Sequence, residues 1–254
     1  MKCIKLTALL LTVFMICLPV FVFAIDPTDT RMMAQPATSA NHIAFIYAED
    51  LWVANRDGSQ PRRLTVDEGL ENSPAFSPDG KIIAFSAEYD GNVDVFTVPV
   101  EGGIPTRLTW HPYPDIVRGF TPDGKAVLFT SQRNVFTGRY SQLFTVPLTG
   151  GMATQLEIPY GTWATYSPDG KQIAYNPLGD AFRQWKHYRG GMISNIWIFS
   201  FGDKQTVKIP QPAAGCNDVG PMWMGTTIYF RSDRNGEFNL FSYNTGTKKI
   251  EQLT

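Results

Sequence analysis

Residues 73–86 read Ser73-Pro74-Ala75-Phe76-Ser77-Pro78-Asp79-Gly80-Lys81-Ile82-Ile83-Ala84-Phe85-Ser86. Two short apolar phrases flank Ser77-Pro78-Asp79-Gly80. Proline presets φ, aspartate hydrogen-bonds nearby backbone and glycine accepts positive φ, so the phrase predicts a tight turn between two strands. Ile83 and Phe85 alternate with smaller residues, as a second strand requires. Asp90-Gly91-Asn92 then turns the chain into a third strand at 94–98, and Glu101-Gly102-Gly103 into a fourth at 106–109. Segments this short, interrupted this often, cannot be helices of useful length.

The same order returns downstream. Thr121-Pro122-Asp123-Gly124 precedes strands at 126–130 and Gln142-Leu143-Phe144-Thr145-Val146, and Ser167-Pro168-Asp169-Gly170 precedes 172–175 and Asn195-Ile196-Trp197-Ile198. A last copy lacks the turn: Pro221-Met222-Trp223-Met224-Gly225 runs almost directly into 227–230, followed by Asn239-Leu240-Phe241-Ser242-Tyr243. Each unit closes on a related phrase: Arg63-Leu64-Thr65, Arg107-Leu108-Thr109, Gln155-Leu156, Lys208-Ile209 and Gln252-Leu253-Thr254. The apolar residue of each falls at 64, 108, 156, 209 and 253, giving steps of 44, 48, 53 and 44. A period in the forties with four short strands per unit is the signature of propeller blades. The expected fold is all-β, a β-propeller of four-stranded blades. Sheets stacked around a ring need apolar residues on both faces, which accounts for the 17 Phe and 10 Tyr as core.

Residues 42–65 fit only three strands, Ile43-Ala44-Phe45-Ile46, Leu51-Trp52-Val53-Ala54 and 62–65. No Pro-Asp-Gly turn or first strand precedes Ile43. Closed propellers commonly complete a blade with strands from both chain ends, which removes the edge. The missing inner strand is therefore expected from a distant C-terminal segment, and the chain reads as the N-terminal part of a longer protein with a larger ring. The alternative is a five-bladed ring in which residues 30–41 supply that strand, although they are not β-rich. Lys2 and Lys5 lead into an apolar run from Leu6 to Ala24, a signal-peptide pattern with cleavage after Ala24; an uncleaved membrane anchor is the alternative. The expected plan is a signal at 1–24, a linker at 25–41 and a propeller over 42–254. Its blades are expected at 42–65, 72–109, 116–158, 162–210 and 218–254.

Removal of the signal takes Cys3 and Cys17 and leaves Cys216, so no internal disulfide can form. The formal charge is −1, or −3 without the two signal lysines, which excludes a basic nucleic-acid surface. No G-x-S-x-G or H-E-x-x-H is present. His42, His111 and His187 lie 69 and 76 residues apart and read as surface or loop positions. No catalytic, cofactor-binding or metal-binding residue is assigned, and no cofactor is expected. Asp94 has counterparts Asp50, Gln142, Asn195 and Asn239, a recurrence that predicts a repeated hydrogen bond to the turn. Calcium between Asp90 and Asp94 is the alternative.

One segment breaks the repeat. Residues 176–191, Asn-Pro-Leu-Gly-Asp-Ala-Phe-Arg-Gln-Trp-Lys-His-Tyr-Arg-Gly-Gly, are inserted between the second and third strands of blade four, where blade two needs only a short loop. Arg183, Lys186 and Arg189 stand beside Trp185 and Tyr188. Loops tolerate insertions and often carry binding residues. Three readings stay open: rim packing with the cations in water, capture of peptide carboxylates by the cations, and docking of an adjoining domain through the aromatics. A smaller insertion at 134–141, with Arg139 and Tyr140, interrupts blade three.

The Pro-Asp-Gly blades resemble those of the periplasmic Tol-system propeller protein and of propeller-bearing serine peptidases. Tyr175-Asn176-Pro177-Leu178, then Arg183-Gln184-Trp185-Lys186-His187-Tyr188-Arg189-Gly190-Gly191 and Ile196-Trp197-Ile198, resemble the first propeller of Tricorn proteases over about residues 42–254. That resemblance implies a six-bladed ring of which blades one to five are present, with the catalytic serine, histidine and glutamate elsewhere. It also implies a non-catalytic role in gating or routing peptides to a serine peptidase domain, with peptides, the parent chain's other domains and a homo-oligomer of the full-length protein as partners. The signal departs from a cytosolic family and points to an exported bacterial homologue, periplasmic or extracellular. A stand-alone Tol-type interaction propeller is the alternative. Against it, only about 17 residues separate the signal from the repeats, too few for the domain that precedes the Tol propeller.

Overall fold

The computed structural model describes residues 32–179 and 187–254. Residues 33–254 form one compact unit. Its strands form five four-stranded antiparallel sheets, each built from consecutive strands in chain order, arranged as a propeller. Blade two shows how the sequence specifies this. β5 (Glu71–Phe76), β6 (Ile82–Glu88), β7 (Val93–Pro99) and β8 (Thr106–Arg107) lie in order from the innermost to the outermost edge. In the β5–β6 turn, the Ser77 hydroxyl accepts from Ile82 N at 3.0 Å and donates to Asp79 Oδ1 at 2.6 Å, while Asp79 accepts from Lys81 N at 3.1 Å. Thr121–Asp123 and Ser167–Asp169 repeat the arrangement. The hydroxyl and the Lys N–H hold each of these aspartates below the usual carboxylate range.

The closing phrase has an equally local cause. The Thr65 and Thr109 hydroxyls each accept a backbone N–H of the third strand, from Leu51 and Val95, at 2.9 Å. Leu64 and Leu108 are core, and the arginine pairs with the acid heading the third strand: Arg63 with Asp50 at 2.7 Å, Arg107 with Asp94 at 2.5 Å. Asp90 takes the other end of the Arg107 guanidinium at 2.8 Å, so the Asp90–Asp94 pair is bridged by an arginine. Blades three and five use a different pair. Arg133 and Arg234, in the loop after the second strand, reach Asp115 and Asp218 at the head of the first, and each guanidinium lies about 5 Å from two Phe rings.

Apolar clusters span successive blades. Val53 and Leu51 pack with Phe85 and Val98 between blades one and two, Val95 and Leu108 with Phe129 and Val146 between two and three. Leu128 and Leu143 pack with Ile173 and Phe199 between three and four, Ile198 and Ile209 with Phe230 and Phe241 between four and five. Polar stitches reinforce three junctions from one strand position. Ser86 donates to Asp115 O and accepts from Val117 N, Thr130 donates to Gly161 O, and Asn176 donates to Asp218 O and accepts from Gly220 N, all at 2.8–3.0 Å.

Blade one corrects the expected domain plan. Its inner strand is β1 (Met33–Thr38), paired antiparallel with β2 (His42–Tyr47), so the blade spans 33–63 and its own N-terminal flank completes it. The stretch read as linker thus contains a strand, and the argument from a missing C-terminal strand falls. The overlooked signal is Gln35-Pro36-Ala37, which repeats Ser73-Pro74-Ala75. Gln35, Ser73 and Gly220 all have positive φ, each precedes a proline, and each sits at a bulge of an inner strand. Bulges and prolines on inner strands twist and blunt the backbone edge that would otherwise line the ring's centre. Ser39 takes the role of Ser77, accepting from His42 N at 3.0 Å, in a turn too short for the Pro-Asp-Gly phrase. The expected signal at 1–24 lies outside the described residues, as do residues 25–31. Among the described residues no helix is long and apolar enough to cross a membrane.

Candidate functional site

Because each blade's strands alternate in direction, the Pro-Asp-Gly turns mark one end of the blade and the loops after the second strand mark the other. The blade-four insertion belongs to the second end. Arg183, Trp185 and Lys186 fall outside the described residues. Tyr188 and Arg189 are described, and both are anchored to blade five. Arg189 Nη1 meets Asp233 Oδ2 at 2.7 Å and its Nη2 donates to Asp233 O at 3.1 Å. Asn217 Nδ2 donates to Tyr188 O at 3.0 Å and to Asp233 Oδ2 at 3.1 Å, and Asn217 N donates to Asp233 Oδ1 at 2.7 Å. Burial alone would push the Asp233 carboxyl up, but the Asn217 backbone N–H and Arg189 outweigh it and hold the group low. Arg189 therefore joins two blades, a role its position in an inserted loop did not reveal. Tyr140 of the blade-three insertion packs against Tyr160 on the same end, the ring centroids 4.6 Å apart and the planes tilted by 30°.

The opposite end carries a cavity of about 300 Å³ contributed by four blades. Pro78, Pro122 and Pro168 of the three turns form one rim. Its wall comes from the inner strands β9 (Asp115–Phe120), β13 (Ala164–Tyr166) and β17 (Asp218–Met224), through Arg118, Phe120, Tyr166 and Trp223. The Arg118 guanidinium carbon lies 4.1 Å from the Trp163 ring centroid. Trp223 is held at both ends, its Nε1 donating to Gly225 O at 3.1 Å and its backbone N to the Thr165 hydroxyl at 3.4 Å. Burial raises the Tyr166 hydroxyl to about 12, with Asp123 adding to the shift. It stays a neutral hydrogen-bonding group at physiological pH. Sequence reading missed this wall: Arg118, Tyr166 and Trp223 each sit in an ordinary strand, and only the packing of three consecutive blades brings them together.

The described serines at the repeat positions serve turns and stitches: Ser77 and Ser167 in turns, Ser86 between blades, Ser232 to Arg234 at 3.1 Å. Cys216 is buried, its thiol raised to about 12 by burial and by Asp218, the opposite of an activated nucleophile. Among the described residues no cluster of three or more His, Cys, Asp or Glu could hold a metal ion.

Residues 30–254 match the Tricorn protease N-terminal beta propeller domain. Tricorn protease homolog 1 of Streptomyces coelicolor is 36% identical over 219 residues, 85% of this chain and 20% of that protein. The tricorn protease of Thermoplasma acidophilum is 24% identical over 237 residues, covering 88% of the chain and 21% of the relative. A tricorn protease crystal structure superposes with a TM-score of 0.74 at 23% identity over 88% of this chain and 22% of that one. The chain spans about one fifth of the length of these relatives. It belongs to the Tricorn protease N-terminal β-propeller family.

Proposed function

We propose that this propeller is the non-catalytic, substrate-routing portion of an exported Tricorn-like serine peptidase, guiding peptides through its centre toward catalytic domains elsewhere in the parent protein. The observation that carries this reading is the cavity wall, in which aromatic and cationic side chains from three consecutive inner strands face one space. A wall that mixes apolar and polar groups suits both the side chains and the backbone of a peptide. Export is supported by Lys2, Lys5 and the apolar run to Ala24. Partners under this reading are peptides, the remaining domains of the parent, and further copies of the full-length protein.

Photo-crosslinking tests the route. In the full-length protein, benzoylphenylalanine at position 223 should capture a biotinylated peptide substrate during turnover. The same group at position 208, on an exposed outer strand, should not. Equal capture at both positions, or none at 223, would overturn routing through the centre. The chain alone is expected not to hydrolyse peptides. Peptide cleavage by it, abolished by a single Ser→Ala change, would refute the non-catalytic assignment.

A further inference from the structure

From the one acid of the described inner strands that lacks a cation, we infer that the seam between blades one and two carries a pH-sensitive latch. Loop 66–70 and Tyr89 close over Glu71 while its carboxyl is protonated and open when it ionises. Blades two, three and five share a shelf of stacked Phe rings: Phe85 on Phe96 at 5.8 Å, Phe129 on Phe144 at 5.6 Å and Phe230 on Phe241 at 6.2 Å. Arg133 and Arg234 lie on the last two shelves, each reaching the acid at the head of its inner strand. Blade two has the shelf and the acid but no arginine. Tyr89 takes that place, packed edge-on against Phe96 at 4.8 Å, and gives Glu71 Oε1 a single neutral donor at 2.6 Å. Oε2 is buried without a hydrogen-bond partner. A carboxylate buried with no cation is costly, whereas the protonated acid is not.

The surrounding charges deepen the cost. Asp50 of β3 and Asp67 of the loop are the nearest, and Glu49, Glu68 and Glu88 flank them on the adjoining turns. The cations of the two blades are engaged elsewhere, Arg63 by Asp50 and Arg107 by Asp90 and Asp94. Burial outweighs the Tyr89 bond and the more distant Thr65 and Leu51 donors, and with Asp50 it moves the Glu71 carboxyl to about 7. The cover itself is lightly held. Glu71 N donates to Glu49 O at 3.0 Å and Glu88 N to Leu70 O at 3.2 Å, while Val66 and Leu70 are exposed. Gly69 lies so close to Tyr89 and Glu88 O that the two loops can part only together. Segments with few buried apolar contacts open locally before the whole domain unfolds. Opening bares Tyr89 and the Phe96 shelf beside Val66 and Leu70, an apolar surface that becomes more available as pH rises.

Hydrogen exchange of the full-length protein, read by mass spectrometry on peptides covering 66–72 and 86–92, tests the latch. An opened Glu71 titrates at 4.5 and a covered one at about 7, so opening should rise about tenfold per pH unit between those values and level off above. Dividing the wild-type rate by that of Glu71→Gln at each pH removes the intrinsic pH dependence of exchange. This ratio should rise about 50-fold from pH 5 to pH 8. The rise should be unchanged in about 1 M urea, since a local opening exposes little surface. Tyr89→Arg, which installs the arginine of blades three and five, should keep both peptides protected at pH 8, and the melting temperature of each variant checks folding. A flat ratio would overturn the latch. So would a rise that grows with urea, which marks unfolding of the whole propeller, or pH-dependent opening that persists in folded Tyr89→Arg.

Discussion

Glu71→Gln should stabilise the propeller at pH 8 and remove much of its pH dependence between pH 5 and 8. Glu71 heads the inner strand of blade two, where blades three and five place Asp115 and Asp218 against an arginine. Blade two has Tyr89 at the loop instead, and its hydroxyl donates to Glu71 Oε1 at 2.6 Å, while Oε2 is buried with no hydrogen-bond partner. The side chain is 3% exposed. Burial, opposed by the Tyr89 hydrogen bond and assisted by the nearby Asp50 charge, drives the carboxyl from 4.5 to about 7. The folded state therefore holds its proton more tightly than the unfolded chain. The stability this contributes is full below pH 4.5 and is lost as pH rises through 7. At 1.36 kcal/mol per pH decade, the loss between pH 5 and 8 is about 2 kcal/mol. Urea unfolding midpoints at half-unit pH steps measure it, and the difference between wild type and Glu71→Gln isolates this carboxyl from the other titrating groups. Gln keeps the acceptor for Tyr89 and cannot ionise. Parallel midpoint curves for the two proteins from pH 5 to 8 would refute the assignment.

Four other outcomes follow from the same geometry. Arg107→Ala should cost about 3 kcal/mol in urea unfolding, because the fully buried Asp94 loses its cation and keeps only the Thr109 and Asn92 donors. Arg63→Ala should cost about 1 kcal/mol, because Asp50 and Arg63 are both partly exposed. Arg189→Ala should flatten the acid limb of the stability curve, since the low Asp233 value contributes stability above its ordinary 3.8 that is lost as pH falls; an unchanged acid limb would detach Arg189 from Asp233 in solution. Phe129→Ala, at a fully buried ring between blades two and three, should cost about 3–5 kcal/mol and lower the melting temperature.

Most of the fold was legible because its cues are local. Ser77, Thr121 and Ser167 make their turn bonds within five residues, and Thr65 and Thr109 reach back fourteen residues within one blade. Blade one was misread for the same reason. Its turn from Ser39 to His42 lacks the Pro-Asp-Gly phrase, and Met33–Thr38 is largely exposed, so no apolar alternation marks it as a strand. Pairing with β2, and Ser73 N donating to Gln35 Oε1 at 2.5 Å, hold it in place. Neither contact leaves a trace in composition.

The sequence by itself determined the number of repeats, the turn chemistry, the packing residues and the family, since each is carried by neighbours along the chain. The tertiary structure decided which polar groups meet. The acid at a strand head finds an arginine from its own blade's loop in blades three and five but a tyrosine in blade two, and Arg189 leaves its loop to pair with Asp233. It also brought Arg118, Tyr166 and Trp223, up to 105 positions apart, to one cavity wall. Such meetings depend on how blades rotate about a common axis, and that rotation is set by inter-blade packing of Phe85, Phe129, Phe199 and Phe230, which no local pattern encodes.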